Sequence, residues 1–147
     1  MGLPTMISTF MNKAVFIDTG AWFAGIAKND QYHDRTMKHR NRLLKENTHF
    51  ITTNLVIHES TMLLERKVSK KEGIKFLKAV LKDPLVEIVH ADEEIELEGY
   101  TLYQKYKDQD FSITDCISFV VMKQYQISRC FTFDHHFSTM DFNVEPV

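Results

Sequence analysis

Four short apolar runs, spaced too far apart to pair as hairpins, constrain what this chain can fold into. They are Ala14 to Ile17, His49 to Thr52, Val86 to Val89 and Arg129 to Phe133. Each is rich in β-branched or aromatic side chains, as buried strands are. Phe142 to Val144 is a candidate fifth. The intervening segments carry helical patterning. Tyr32 to Asn47 is one helix, and Leu55 to Val68 is a second, with Asn54 as its N-cap. A third starts at Ser69, where Glu72 completes a capping box, runs through Ile74, Leu77 and Leu81, and stops near Asp83-Pro84. Asp92 caps a fourth reaching about Lys107, and Ser112 caps a fifth from about Ile113 to Tyr125. Strands alternating with helices pair in parallel through crossovers, which place helices on both sheet faces. The expected fold is a three-layer α/β/α domain with a mainly parallel sheet of four to five strands.

A chain of 147 residues, 44% hydrophobic and 26% charged, has the balance of one globular domain rather than a disordered chain. No apolar run approaches the roughly 20 residues that cross a bilayer. Residues 1–12 read as a flexible extension ahead of a domain at 13–147. They lack the basic start and long apolar stretch of a secretory signal, and translation starting at Met6 or Met11 is compatible with them. Cys116 and Cys130 are too few for a disulfide framework, and both sit in apolar surroundings as small hydrophobes. A reducing cytoplasm is the expected compartment. The net charge of −2 excludes a global basic field. Yet Arg35, Lys38, His39, Arg42 and Lys45 recur at helical spacing, as do Lys67, Lys71, Lys75, Lys78 and Lys82. Such stripes are either solvated helix faces or phosphate-contacting rims.

Four acids occupy places where a lone charge is unwelcome. Asp18 follows the run Ala14 to Ile17, and Asp134 follows Cys130 to Phe133. In open parallel sheets, ligands bind beyond the carboxyl ends of the strands. Both aspartates therefore belong to one edge of the domain. At about 100° per residue, Glu59 shares a helix face with Leu55, Met62 and Leu63, and Asp115 shares one with Phe119 and Met122. Asp115 also falls in the first turn, near the positive end of the helix dipole. Taken singly, each acid reads as a cap or salt-bridge partner. Taken together they need relief, since two carboxylates about 4 Å apart repel by roughly 4 kcal/mol at an effective dielectric of 20. Protons or a hard cation supply it, and oxygen ligands favour Mg²⁺ or Mn²⁺ over Zn²⁺. Asp110 is a possible fifth member, beside the more loop-like Asp108.

The blocks Phe16-Ile17-Asp18-Thr19-Gly20-Ala21-Trp22, His58-Glu59, Asp110-Phe111-Ser112-Ile113-Thr114-Asp115-Cys116 and Thr132-Phe133-Asp134-His135-His136-Phe137 resemble the PIN-domain ribonucleases, especially the VapC-like toxins. The match in order and spacing runs from Ala14 onward. The resemblance implies that Asp18, Glu59, Asp115 and Asp134 are metal-binding catalytic acids holding one or two Mg²⁺ or Mn²⁺ ions. It implies that Thr132 orders that site, with Ser112, Thr114, Thr19 and Asp110 in support. It further implies an RNA substrate, a cognate antitoxin and a homodimer. Arg35, Lys38 and Arg42 are then candidate RNA contacts. The expected chemistry is cation-assisted phosphodiester hydrolysis. A housekeeping RNA-processing nuclease and a non-catalytic RNA- or protein-binding module are the alternatives.

Two other chemistries lack their signatures. An aspartyl-nucleophile phosphohydrolase needs a second Asp two residues after the first, and Gly20 stands there. Zinc would call on His135, His136 and Cys130, but no Cys-x-x-Cys or His-x-x-x-His spacing supports it. Neighbouring histidines are expected to face different ways. His58 reads as an ordinary helix residue.

Overall fold

The structure, a computed structural model, describes residues 13–147; the expected N-terminal extension lies outside the described residues. Strand β1 (Ala14–Ile17) is buried at all four positions, as its apolar run demands. Strands β2 (His49–Thr53), β3 (Val86–Val89), β4 (Arg129–Phe131) and β5 (Asn143–Glu145) complete a sheet in the order β3-β2-β1-β4-β5. Every pairing is parallel. The chain builds outward from β1 to β3, then crosses back to place β4 on the other side of β1. Strand order therefore reverses between β1 and β4, where ligand crevices form in such sheets.

Helices α1 (Thr19–Ile26), α2 (His33–Lys45), α3 (Asn54–Lys67) and α4 (Lys70–Lys82) join the strands from β1 to β3. Helices α5 (Glu93–Lys105), α6 (Ile113–Gln124) and α7 (His136–Thr139) follow. The period of two in β1 sorts the layers. Val15 and Ile17 pack with Ala21 of α1 and Leu43 of α2, while Ala14 and Phe16 pack with Ile117 and Val121 of α6 and Phe137 of α7. Helix α6 is buried along most of its length, and α5 lies close against it. A Cβ at Gly99 would lie 2.5 Å from Ile117 Cγ1 and 3.4 Å from Ile117 Cα, so this close crossing requires glycine. The tight seat fixes the height of α6 and of the acid in its first turn.

Several local expectations change. Thr53, not Asn54, caps α3, accepting from the Val56 N–H, while Asn54 Oδ1 accepts from the Ala91 N–H across the sheet edge. Ser69 caps α4 through the Glu72 N–H. The reciprocal capping box stands instead at Ser112 and Asp115. Helix α4 buries Gly73, Phe76 and Val80 and leaves Ile74, Leu77 and Leu81 outward. Strand β4 ends at Phe131, with the Thr132 N–H making a last bond to β5, and β5 begins at Asn143 rather than Phe142. No helix among the described residues is long and apolar enough to cross a membrane.

Candidate metal centre

Three of the four predicted acids meet at the switch point. One carboxylate oxygen from each of Asp18, Asp115 and Asp134 lies within 4.8 Å of the others. Asp18 leaves the end of β1, Asp134 follows β4, and Asp115 is the third residue of α6. Asp18 is the N-cap residue of α1, yet its side chain makes no capping bond. It accepts from Thr132 Oγ1 at 3.0 Å, and the same Oγ1 accepts from the Asp134 N–H at 3.0 Å. One hydroxyl thus ties two of the acids together. The Thr132 N–H is anchored in turn on the Glu145 carbonyl at 3.1 Å. Asp115 accepts from the Ser112 N–H through Oδ2, and Ser112 Oγ accepts from the Asp115 N–H.

Glu59 is half-buried on α3 and is not among the acids grouped within 4.8 Å. It makes no hydrogen bond or ion pair with any described residue. Thr19 is buried, and its Oγ1 has no partner among the described residues. Thr114 is half-buried, and Asp110 is exposed. Among the candidate RNA contacts, Arg35 and Lys38 are exposed, and Arg42 is held 3.8 Å from Glu46.

His136, weighed in the sequence only beside His135 as a zinc candidate, stands against the acid centre. Its Nδ1 lies 3.2 Å from Asp115 Oδ2 and 3.1 Å from Asp134 Oδ1. The two histidines do not diverge as expected. The Asp134 carboxylate accepts the His136 N–H and starts the short α7, which brings the ring centroids of His135 and His136 within 4.6 Å. Only His136 is enclosed; His135 is largely in solvent. The usable signal was an Asp just after a strand, which tends to capture the amide two residues on.

Electrostatics at the centre are unbalanced. Burial raises the Asp18 carboxyl from its ordinary 3.8 to about 7, and the nearby Asp115 and Asp134 add to the rise, against the Thr19 N–H and Thr132 hydroxyl. Burial also raises Asp115, helped by Asp134 and opposed by the Ser112 N–H and His136. Within 4.8 Å, two ionised carboxylates repel by at least about 3.5 kcal/mol at an effective dielectric of 20. The donors present do not offset this. A hard cation does, and an all-carboxylate set suits one. The residues therefore fit a divalent ion.

The PIN domain family model matches residues 15–143. This chain belongs to the PIN domain family. Among curated proteins it is similar to the 23S rRNA-specific endonuclease VapC20 of Mycobacterium tuberculosis, 26% identical over 129 residues, covering 87% of this chain and 95% of the relative. The crystal structure of VapC20, described as a sarcin-ricin loop cleaving toxin, superposes with a TM-score of 0.78 at 24% identity, over 87% of this chain and 95% of that one. FitAcB from Neisseria gonorrhoeae gives a TM-score of 0.63 at 17% identity, over 88% and 95%. VapBC2 from Rickettsia felis, bound to DNA from its promoter, gives 0.63 at 14% identity, over 90% and 97%. At these identities the solved structures establish the PIN-like fold alone.

Asp18 makes the ion-free protein pH-sensitive. Below about 3.8 the carboxyl is protonated in both folded and unfolded chains. As pH rises from 3.8 towards 7, the unfolded chain releases its proton first, so stability falls; above 7 the loss levels off. Its size is about 4 kcal/mol. Urea denaturation of metal-free protein across this range should show the decline, and Asp18→Asn should reduce it to the part that Asp115 contributes. An equal decline in the variant would remove Asp18 as its source.

Proposed function

We propose that this chain is a divalent-metal-dependent endoribonuclease and the toxin of a toxin–antitoxin pair. The observation that carries the reading is the convergence of Asp18, Asp115 and Asp134 at the strand-order switch point of a PIN domain. In this reading the three aspartates would hold Mg²⁺ or Mn²⁺. Glu59, half-buried and without a side-chain partner among the described residues, would serve it directly or through water. When bound, the ion supplies Lewis acidity towards a phosphate oxygen and acidifies water. Thr132 keeps Asp18 and Asp134 in register, and the Ser112 cap keeps Asp115 aimed at them. His136 orients Asp115 and Asp134 from the side. The similarity to a 23S rRNA-specific endonuclease supports RNA as the substrate class. An assembled acid centre weighs against a purely structural module.

Asp115→Asn should keep the fold, since it relieves repulsion and its amide oxygen still accepts from Ser112. It should lower Mg²⁺- or Mn²⁺-dependent cleavage of ribosomal and transfer RNA fragments by more than about a hundredfold. It should also shrink the thermal stabilisation that Mn²⁺ gives the parent. Full cleavage by the variant, or cleavage by the parent in excess chelator, would refute the assignment.

The antitoxin surface is proposed at a cavity of about 1030 Å³ between α1, α2 and α4. Phe23, Ile26, Phe76 and Val80 give it apolar walls, and its charged lining mixes Lys28, Arg40, Lys67 and Lys75 with Asp30, Glu72 and Asp83. Trp22 also lines it. Apolar walls fit an amphipathic segment, and Lys67 and Lys75 would meet acids on it. Lys67→Glu with Lys75→Glu should leave RNA cleavage intact and abolish its inhibition by the product of an adjoining small reading frame. Unchanged inhibition would move the surface elsewhere.

The homodimer is proposed to use the outer stripe of α4. Ile74, Leu77 and Leu81 are 45%, 36% and 63% exposed at helical spacing, with Met62 of α3, 49% exposed, the other large apolar side chain left outward in this helix pair. Such contiguous apolar exposure marks an interface. Sedimentation velocity should show a dimer that Leu77→Glu converts to monomer; a variant that stays dimeric would exclude this stripe.

A further inference from the structure

Beside the acid centre stands a group of side chains that the chemistry above does not use. Phe133 lies between Thr132 and Asp134 in sequence, and its ring turns to the opposite face from theirs, packing with Phe131 and the α1–α2 layer. Tyr32, just before α2, stacks flat on it, with ring centroids 4.2 Å apart and planes 6° from parallel. The Arg35 guanidinium carbon lies 5.9 Å from the Tyr32 centroid and 5.6 Å from the Phe133 centroid. Nearly equal distances to two parallel rings put the cation alongside the stack, not over its end. The inner end of the stack is the core, and the outer end is the far face of Tyr32.

The pieces are held ready. Asp30 Oδ2 accepts the Tyr32 N–H at 2.9 Å, the Tyr32 carbonyl accepts the Thr36 N–H, and His33 Nδ1 bonds the Ala24 carbonyl at 2.7 Å. Arg35 is exposed and has no acidic partner among the described residues. The Tyr32 hydroxyl likewise bonds no described residue. A partly exposed Tyr32 ring beside a guanidinium with no acidic partner among the described residues, both packed on the residue that precedes Asp134, has the chemistry of a nucleotide site: a base stacks and a phosphate pairs.

Resting on the endoribonuclease reading, we propose that Tyr32, Phe133 and Arg35 form a subsite for the nucleotide next to the cleaved bond, with its base on the outer face of Tyr32 and its phosphate on Arg35. Phe133 is the positioning residue that backs Tyr32. Because stacking is tolerant of base identity, the subsite favours an unpaired nucleotide over a paired one without strong sequence preference.

The test is fluorescence anisotropy with a short single-stranded RNA and an abasic oligomer of the same length, in the full chain carrying Asp115→Asn to prevent cleavage. Tyr32→Leu should weaken binding of the RNA about tenfold and leave the abasic oligomer unchanged, while Tyr32→Phe restores the RNA. Arg35→Gln should weaken both and lower the salt-dependence slope by about 0.7, the value for one phosphate on a single strand. Equal RNA affinity in Tyr32→Leu, or equal loss for both oligomers, would overturn the subsite. If the chain with its native acids cleaves RNA in that event, the subsite alone falls. If it cleaves no RNA, the nuclease reading falls with it.

Discussion

Mutual repulsion among three carboxylates is the constraint around which this domain is arranged. No single element brings the acids together. Parallel pairing of β1 with β4 sets Asp18 beside Thr132 and Asp134, and the seat of α6 against α5 at Gly99 brings in Asp115. The Thr132 hydroxyl spans Asp18 and the Asp134 amide, the smallest link that joins the two strand ends. The Ser112 and Thr132 supports are neutral dipoles, and His136 opposes the rise at Asp115 without reversing it. Together they hold the acids in place without neutralising them, which leaves a deficit that a cation fills.

A second network secures the far side of β4. Glu145 accepts two bonds from Arg129, at 2.8 and 2.9 Å, and one contact from the buried His39 at 2.9 Å. Burial pushes its carboxyl up, but Arg129 and His39 outweigh that and hold it below the usual range. The backbone carbonyl of the same residue anchors Thr132. Helix α2, β5 and the acid centre are thus mechanically connected. The two layers divide the work. Helix α6 is largely core and aims Asp115, whereas the α1–α4 layer carries the cavity, the outward stripe and the aromatic stack.

Much of this was legible in the sequence because it depends on short-range pattern. Apolar runs separated by helical segments fix parallel pairing, and parallel pairing alone puts Asp18 and Asp134 on one edge. The first-turn place of Asp115 follows from Ser112 as a cap. What escaped was set by tertiary contacts. His136 enters the site only because Asp134 captures its amide and bends the chain into α7. The outward turn of Ile74, Leu77 and Leu81 could not be read from apolarity, since Phe76 and Val80 offer a competing face on the same helix. Asn54 left the capping role to Thr53 because Ala91, distant in sequence, claims its side chain. The Arg129–Glu145–His39 cluster joins residues 16 and 106 positions apart, and no local signal links them.

The most direct measurement of the central claim is a carbon-detected NMR titration of the Asp18 side-chain carboxyl, in chelator and in saturating Mg²⁺. The account predicts a midpoint near 7 without the ion. With Mg²⁺ it predicts a fall below the ordinary carboxylate value, because a bound cation reverses the sign of the local field. An ordinary midpoint that Mg²⁺ leaves unmoved would contradict it.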